Sequence, residues 1–398
     1  YAMAGLFGHG DAVVLRDPAG IRPAYWYEDD EICCVASERP VIQTAFNLKS
    51  EQVQELTPGH ALIIKKNGVI SEVEINKPDD RALKCSFERI YFSRGNDLEI
   101  YNERKELGKL LVPQILDTID HDLDNSVFSF IPNTAEVSFY GMVDGLHKYI
   151  TDVQKETLLQ RKEVLDDAAL DDLLSMRPRV EKLAIKDVKL RTFITADADR
   201  GEMVAHVYDT TYGVIKNHTD TLVAVDDSIV RGTTLKQSII KIIDRLHPKK
   251  IIIVSSAPQI RYPDCYGIDM SKMGQFVAFD AAIQLLKERG QEHVIEAVYQ
   301  KCKASLELPK EEIVNHVKEI YASFTPQEIS DQIAKIITPA DTVAEVEVIY
   351  QTLENLHEAC PHHRGDWYFS GDYPTPGGNK VVNKAFVNWK EGNNQRAY

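Results

Sequence analysis

Residues Thr221–Thr234 read TLVAVDDSIVRGTT. Leu222, Val223, Ala224 and Val225 are a short unbroken apolar run, the pattern of a parallel strand covered on both faces. Asp226 and Asp227 follow at its carboxyl end, where open α/β sheets place their ligands. Ser228 to Thr234 are mostly small or hydroxylated around Arg231 and Gly232. Leu235, Ile239, Ile240, Ile243 and Leu246 then recur at helical spacing. The stretch predicts strand, acidic pair, tight turn and helix. By itself such an order could also be a plain connection with a solvated acid pair.

The chemistry this order suits is recognition of a phosphorylated sugar. Glycine lets a backbone approach a phosphate closely, and free N–H groups at a helix start hold an anion. Two carboxylates beside that loop would repel the phosphate unless they face ribose hydroxyls or a hard cation such as magnesium. The string resembles the phosphoribosyl-pyrophosphate (PRPP) signature of the type I phosphoribosyltransferases, in the form carried by the amidophosphoribosyltransferase family. That resemblance implies that Asp226 and Asp227 are catalytic, contact the ribose and help hold Mg2+. It also implies that Ser228, Ile229, Val230, Arg231, Gly232, Thr233 and Thr234 bind the 5-phosphate.

The chain has 398 residues, a formal charge of -15, 43% hydrophobic and 27% charged residues. This suits a soluble protein of two or three domains and argues against a nucleic-acid partner. No apolar run reaches membrane-spanning length, so no membrane partner is expected. Six cysteines without a C-x-x-C pair suggest reduced thiols and a cytoplasmic setting.

Outward from the signature, further segments resemble the same family in the same order. Residues 1–80 read as β-rich, with apolar runs at 12–15, 32–35 and 61–64. They carry RDPAGIRP (Arg16–Pro23), Ala36-Ser37-Glu38 and a Pro58-Gly59-His60 turn, similar to the later part of a class II glutamine amidotransferase domain. The N-terminal cysteine nucleophile of such domains is not at Tyr1, and Cys33 and Cys34 read as core thiols. The chain is therefore expected to be a piece that does not itself hydrolyse glutamine. Cys85, Phe87, Glu88, Tyr91, Phe92, Arg94, Tyr101, Arg104 and Gly108 match the family's junction between domains, although Arg94-Gly95-Asn96-Asp97 stands where Arg-Pro-Asp-Ser is usual.

Ile131–Glu136 takes the place of the family's pyrophosphate loop. This implies backbone contacts from Asn133, Ala135 and Glu136 and a Thr134 hydroxyl that binds the leaving group and Mg2+. Residues 151–190 read as a charged helical insertion. RTFI at 191–194 and the polar stretch after it resemble a loop that closes over PRPP, implying substrate contacts from Arg191, Thr192 and Arg200. Ala205, His206 and Val207 stand about where the family carries lysines, so either Arg200 and Lys216 compensate or PRPP is bound differently. Pro263–Asp269 matches a P-x-C-YGID segment. In cluster-bearing relatives, cysteines like Cys85 and Cys265 join a C-terminal pair on a [4Fe–4S] cluster. Here the tail holds one cysteine, Cys360, beside His362 and His363, and isolated reduced cysteines are the preferred reading over a metal site.

Residues 281–360 read as mostly helical, with Ile283, Leu286, Ile295, Val298, Ile313, Val317, Ile333 and Ile337 as core, and the last 25 residues read as loosely ordered. The expected architecture is α/β: residues 1–80 from an amidotransferase domain, a mostly parallel type I phosphoribosyltransferase domain at 81–295, and a helical region at 296–398. The activity implied is transfer of ammonia, glutamine-derived in the full-length enzyme, to C1 of PRPP, giving 5-phosphoribosylamine and pyrophosphate. Purine nucleotide inhibitors and a homo-oligomer are implied with it. A salvage phosphoribosyltransferase, or a nucleotide-binding regulator without catalysis, is the alternative.

Overall fold

The computed structural model describes residues 1–81, 83–160, 166–186, 208–267 and 270–397. Seven strands lie in the first 74 residues: β1 (Ala2–Leu6), β2 (Ala12–Arg16), β3 (Tyr25–Glu28), β4 (Cys33–Ala36), β5 (Gln54–Glu55), β6 (His60–Ile64) and β7 (Ile70–Glu74). They form two antiparallel sheets, ordered β1-β2-β6-β7 and β4-β3-β5. A small core of Val14, Ala24, Trp26, Leu56 and Leu62 lies on them, and Cys33 packs partly buried against it.

The second unit is a five-stranded sheet. Its strands are β8 (Ser126–Phe130), β9 (Arg179–Val180), β12 (Thr221–Asp226), β13 (Lys250–Ser255) and β14 (Glu345–Tyr350), with the two-stranded pair β10 (Ala184–Lys186) and β11 (Tyr208–Thr210) beside it. The order is β14-β13-β12-β8-β9, and every pairing is parallel. All five carboxyl ends therefore open on one edge. Along β12, Leu222 and Ala224 enter one core while Val223 and Val225 enter the other, which is why the strand reads as an unbroken apolar run. The first core takes Leu235, Ile239, Ile240, Ile243 and Leu246 from the helical stretch after the signature. The second is built by Phe139, Met142, Leu146 and Ile150 of helix Glu136–Gln160.

The two units are joined by the RDPAGIRP turn. Arg16 is buried, and its guanidinium donates to the carbonyls of Gly20 and Leu56 and to Glu55. Ile21 enters the main core. Arg22 reaches across to Glu88 at 2.8 Å and Asp264 at 2.7 Å. This segment is thus the docking element, because its charges find partners on both units.

Two expectations for the C-terminal region need correcting. Residues 296–398 are not purely helical: Glu345–Tyr350 is the edge strand β14. Its signal is a period of two, since Val346, Val348 and Tyr350 face the main core, while Ile349 enters the opposite one. The tail is not loose at residues 376–390 either. Helix Pro376–Lys390 buries Val382, Phe386 and Val387, and the buried Asn383 amide donates to Ser305 and to the Val314 carbonyl. Satisfied amides let a Gly- and Asn-rich sequence pack. All eight apolar positions expected in the core of this region are buried. No helix among the described residues is long and apolar enough to cross a membrane.

Candidate functional site

The carboxyl ends of β8 and β12 adjoin, Val225 pairing with Phe130. Ile131 N–H donates to the Val225 carbonyl at 2.8 Å, which brings the two following loops side by side. They border a cleft of about 530 Å³. Asp226, Asp227 and every residue from Ser228 to Thr234 line it, as do Asn133 and Thr134. Ala135 and Glu136 are not in this lining. Ala135 is fully buried, and Glu136 opens the following helix, accepting a hydrogen bond from Tyr140. Arg191, Thr192 and Arg200 lie outside the described residues.

The acidic pair is tightly organised. Asp227 N–H donates to Asp226 Oδ1 at 2.9 Å, and the Ser228 hydroxyl donates to Asp227 Oδ1 at 2.9 Å. Burial, with the adjoining Asp227 charge, pushes the Asp226 carboxyl well above the usual carboxylate range. Burial also raises Asp227, to about 6, although Ser228, the Arg104 guanidinium and Thr134 pull against it. Two half-buried carboxylates, each costly to ionise, form a site suited to a cation or to hydroxyl groups.

A pH signature follows. The raised folded-state value of Asp227 means that its ionisation opposes folding. The penalty is absent below the unfolded carboxylate range and is fully present once pH passes about 6. Asp227→Asn is expected to unfold at higher urea concentration than the parent at pH 8, by on the order of 3 kcal/mol, with the gap closing toward pH 4. An equal gap at both pH values would contradict this ionisation cost.

The loop at residues 228–234 turns at Gly232. Its φ is +70°, and a Cβ there would come 2.6 Å from Ile337 Cγ2. The Lys236 N–H donates to the Gly232 carbonyl, which starts the helix. The backbone N–H groups of residues 229–232 donate to no backbone carbonyl among the described residues, so they are free to meet an anion. The opposite loop contains a cis peptide bond between Pro132 and Asn133.

The sequence reading did not foresee the apolar wall. Phe87, Tyr91, Phe92 and Met270 also line the cleft. The FERIYF run contained the first three, but its aromatic residues fit a domain junction equally well. Only the folded chain turns them toward the acids.

Cys85 lies beside Arg22, whose Nη1 approaches its sulfur at 3.6 Å. The Cys265 thiol donates to the Gly378 carbonyl at 3.5 Å. Cys360 is buried near Glu103, Arg89 and Arg104. Burial pushes all three thiols up. Among the described residues, no three His, Cys, Asp or Glu side chains are grouped to hold a metal.

No protein-family model matches the chain. Over 296 residues it is 28% identical to the amidophosphoribosyltransferase of Pseudomonas aeruginosa, covering 71% of this chain and 51% of that protein. The Escherichia coli amidophosphoribosyltransferase is 27% identical over 301 residues, covering 72% and 51%. The chain thus has curated amidophosphoribosyltransferases as homologues and spans about half of their length. Among solved structures it resembles the glutamine PRPP amidotransferase from B. subtilis complexed with ADP and GMP. That match has a TM-score of 0.56 and 22% identity, over 92% of this chain and 62% of that one. The likeness establishes the fold, a parallel phosphoribosyltransferase-type sheet with flanking helices.

Proposed function

We propose that the chain is the PRPP-using part of an amidophosphoribosyltransferase, which transfers ammonia to C1 of PRPP and releases pyrophosphate. The observation that carries this reading is the single cleft in which the Asp226–Asp227 pair, the open backbone of residues 228–234 and the Thr134 loop meet. The homology to amidophosphoribosyltransferases supports it independently.

The residues divide the work by charge. Backbone N–H groups of the loop, with the Thr233 and Thr234 hydroxyls, hold the 5-phosphate. Asp226 and Asp227 orient the ribose hydroxyls and favour the positive charge that develops at C1. Asn133 and Thr134, which line the cleft, take the departing pyrophosphate. Arg191, Thr192 and Arg200 are assigned to a loop that closes over the substrate. Ammonia is already a nucleophile, so the cleft needs no general base.

Two adjacent carboxylates and a hydroxyl suit Mg2+, which takes one or two carboxylates and completes its shell with water and substrate phosphates. When bound there, it would neutralise charge on the leaving pyrophosphate. In the longer protein, ammonia would come from glutamine. Purine nucleotides are proposed as inhibitors, a reading supported by the ADP and GMP complex of the B. subtilis protein. We place the protein in the cytoplasm as a homo-oligomer.

The test is pyrophosphate release from PRPP and Mg2+ with ammonium or glutamine as donor. Release with ammonium alone is expected. PRPP binding without release under either donor would favour a nucleotide-binding regulator. Release that depends on an added purine or pyrimidine base would favour a salvage enzyme.

A further inference from the structure

A second cavity, of about 210 Å³, lies where the C-terminal tail folds back on the turn Met273–Gln275. Helix Pro376–Lys390 supplies Ala385, Asn388 and Trp389 to its wall, and residues 271–275 and 392–395 supply the rest. The tail is fixed there by its own hydrogen bonds. Asn393 N–H donates to the Asn388 carbonyl at 2.8 Å, and Gln395 N–H donates to Asn393 Oδ1 at 3.0 Å. The turn lies against the indole, since a Cβ on Gly274 would come 2.9 Å from Trp389 Cδ1.

Asn388 is 3% exposed, with half of its amide unused. Its Nδ2 donates to the Gln395 carbonyl at 3.3 Å, which fixes the orientation of the amide. Its Oδ1 is buried and, among the described residues, accepts no hydrogen bond. A buried acceptor without a donor is costly, and a leucine would fill the same space without that cost. Beside it the lining holds Trp389, the half-buried Lys272 and the amides of Gln275, Asn393 and Asn394. The volume is about seven times the share of one molecule in liquid water. That is room for a molecule of one or two rings.

The cavity also adjoins the cleft. Met270 lines the cleft and Ser271 lines the cavity. Gln275 Oε1 accepts from Arg231 Nη2 at 3.1 Å, and Val277 N–H donates to the Val230 carbonyl at 2.9 Å. Val230 and Arg231 both line the cleft. One short segment thus walls the cavity and braces the loop after the acids.

We propose that this cavity is an effector site for a free nucleobase, or a heterocycle of that size. A ring N–H donates to Asn388 Oδ1, the neighbouring amides read the remaining edge, and Trp389 packs against the ring. Asn and Gln amides match the donor and acceptor edges of a base, and aromatic side chains pack on its face. Filling the cavity stiffens residues 271–277 and so presets the loop for the sugar phosphate. This last step rests on the functional reading above.

Isothermal titration of the full chain with adenine, hypoxanthine and uracil is the test. At least one base is expected to bind with a dissociation constant of about 1 mM or tighter. It should quench Trp389, since Trp26 and Trp367 are buried elsewhere. Asn388→Leu should raise that constant at least tenfold, while its urea midpoint without base equals or exceeds the parent's. Asn394→Ala, in the exposed tail, should weaken base binding several-fold, which keeps the test readable if the buried variant does not fold. With base saturating, the PRPP dissociation constant is expected to fall about fivefold. Heat from no base would leave a water on Asn388 and overturn the proposal. Equal binding by the parent and both variants, heat from glucose in place of the bases, or an unchanged PRPP constant on a filled cavity would also overturn it. A chain that binds base at Asn388 but never PRPP would support the site and overturn only the functional reading.

Discussion

Asp226→Asn combined with Asp227→Asn is expected to lower ammonia-dependent pyrophosphate release at least a thousandfold, on the order of what removing preorganised charge stabilisation costs elsewhere. Both acids stand at the end of β12, and Asp227 is locked to Asp226 and Ser228 by hydrogen bonds. Asparagine keeps the shape and removes the charge that would face C1 and the cation. The variant should also fold well, because the two carboxyls are raised by burial and their ionisation opposes folding. Lost turnover would therefore not be lost structure. Turnover within tenfold of the parent, measured by coupled pyrophosphate detection, would remove the acids from the mechanism.

A second large effect is expected far from the acids. Gly108 of helix Leu98–Leu110 faces helix Glu136–Gln160, and a Cβ there would stand 2.7 Å from the Ser138 carbonyl carbon and 2.8 Å from the Met142 nitrogen. Gly141 faces the Lys105 backbone in the same way, 2.6 Å from its carbonyl carbon. The two helices touch backbone to backbone, so neither contact can yield by turning a side chain. Gly108→Val should cost on the order of 3 kcal/mol or more, the upper range for overpacking, read as a lower urea midpoint. It should also weaken PRPP binding, because helix Glu136–Gln160 begins at the Thr134 loop that lines the cleft. Gly8→Ala, with nothing within 4 Å, is the control expected to change little. Equal midpoints for the two variants would mean that the helices separate at no cost.

Much of the site was readable because its chemistry is local. Asp226, Asp227 and Gly232 are neighbours in sequence, and the strand and turn that present them are set by a handful of adjacent residues. The loop after the acids needs a glycine at a φ of +70°, and the sequence has one there. The helix after it has the right apolar period, and its five core positions are all buried.

What was missed depends on distant partners. Nothing in the RDPAGIRP segment itself shows that Glu88 and Asp264 of the other unit pair with Arg22. Glu345–Tyr350 reads as part of a helical region until β13 supplies its hydrogen bonds. Helix Pro376–Lys390 is ordered by buried amide contacts to residues about seventy positions earlier.

The sequence alone determined a parallel strand, an acidic pair and a glycine turn into a helix, since each depends on residues within one turn or strand. Only the tertiary structure decided that aromatic residues wall the cleft and that Glu345–Tyr350 joins the parallel sheet. Burial and charge pairing depend on which distant segments share a space, and spacing along the chain does not carry that information.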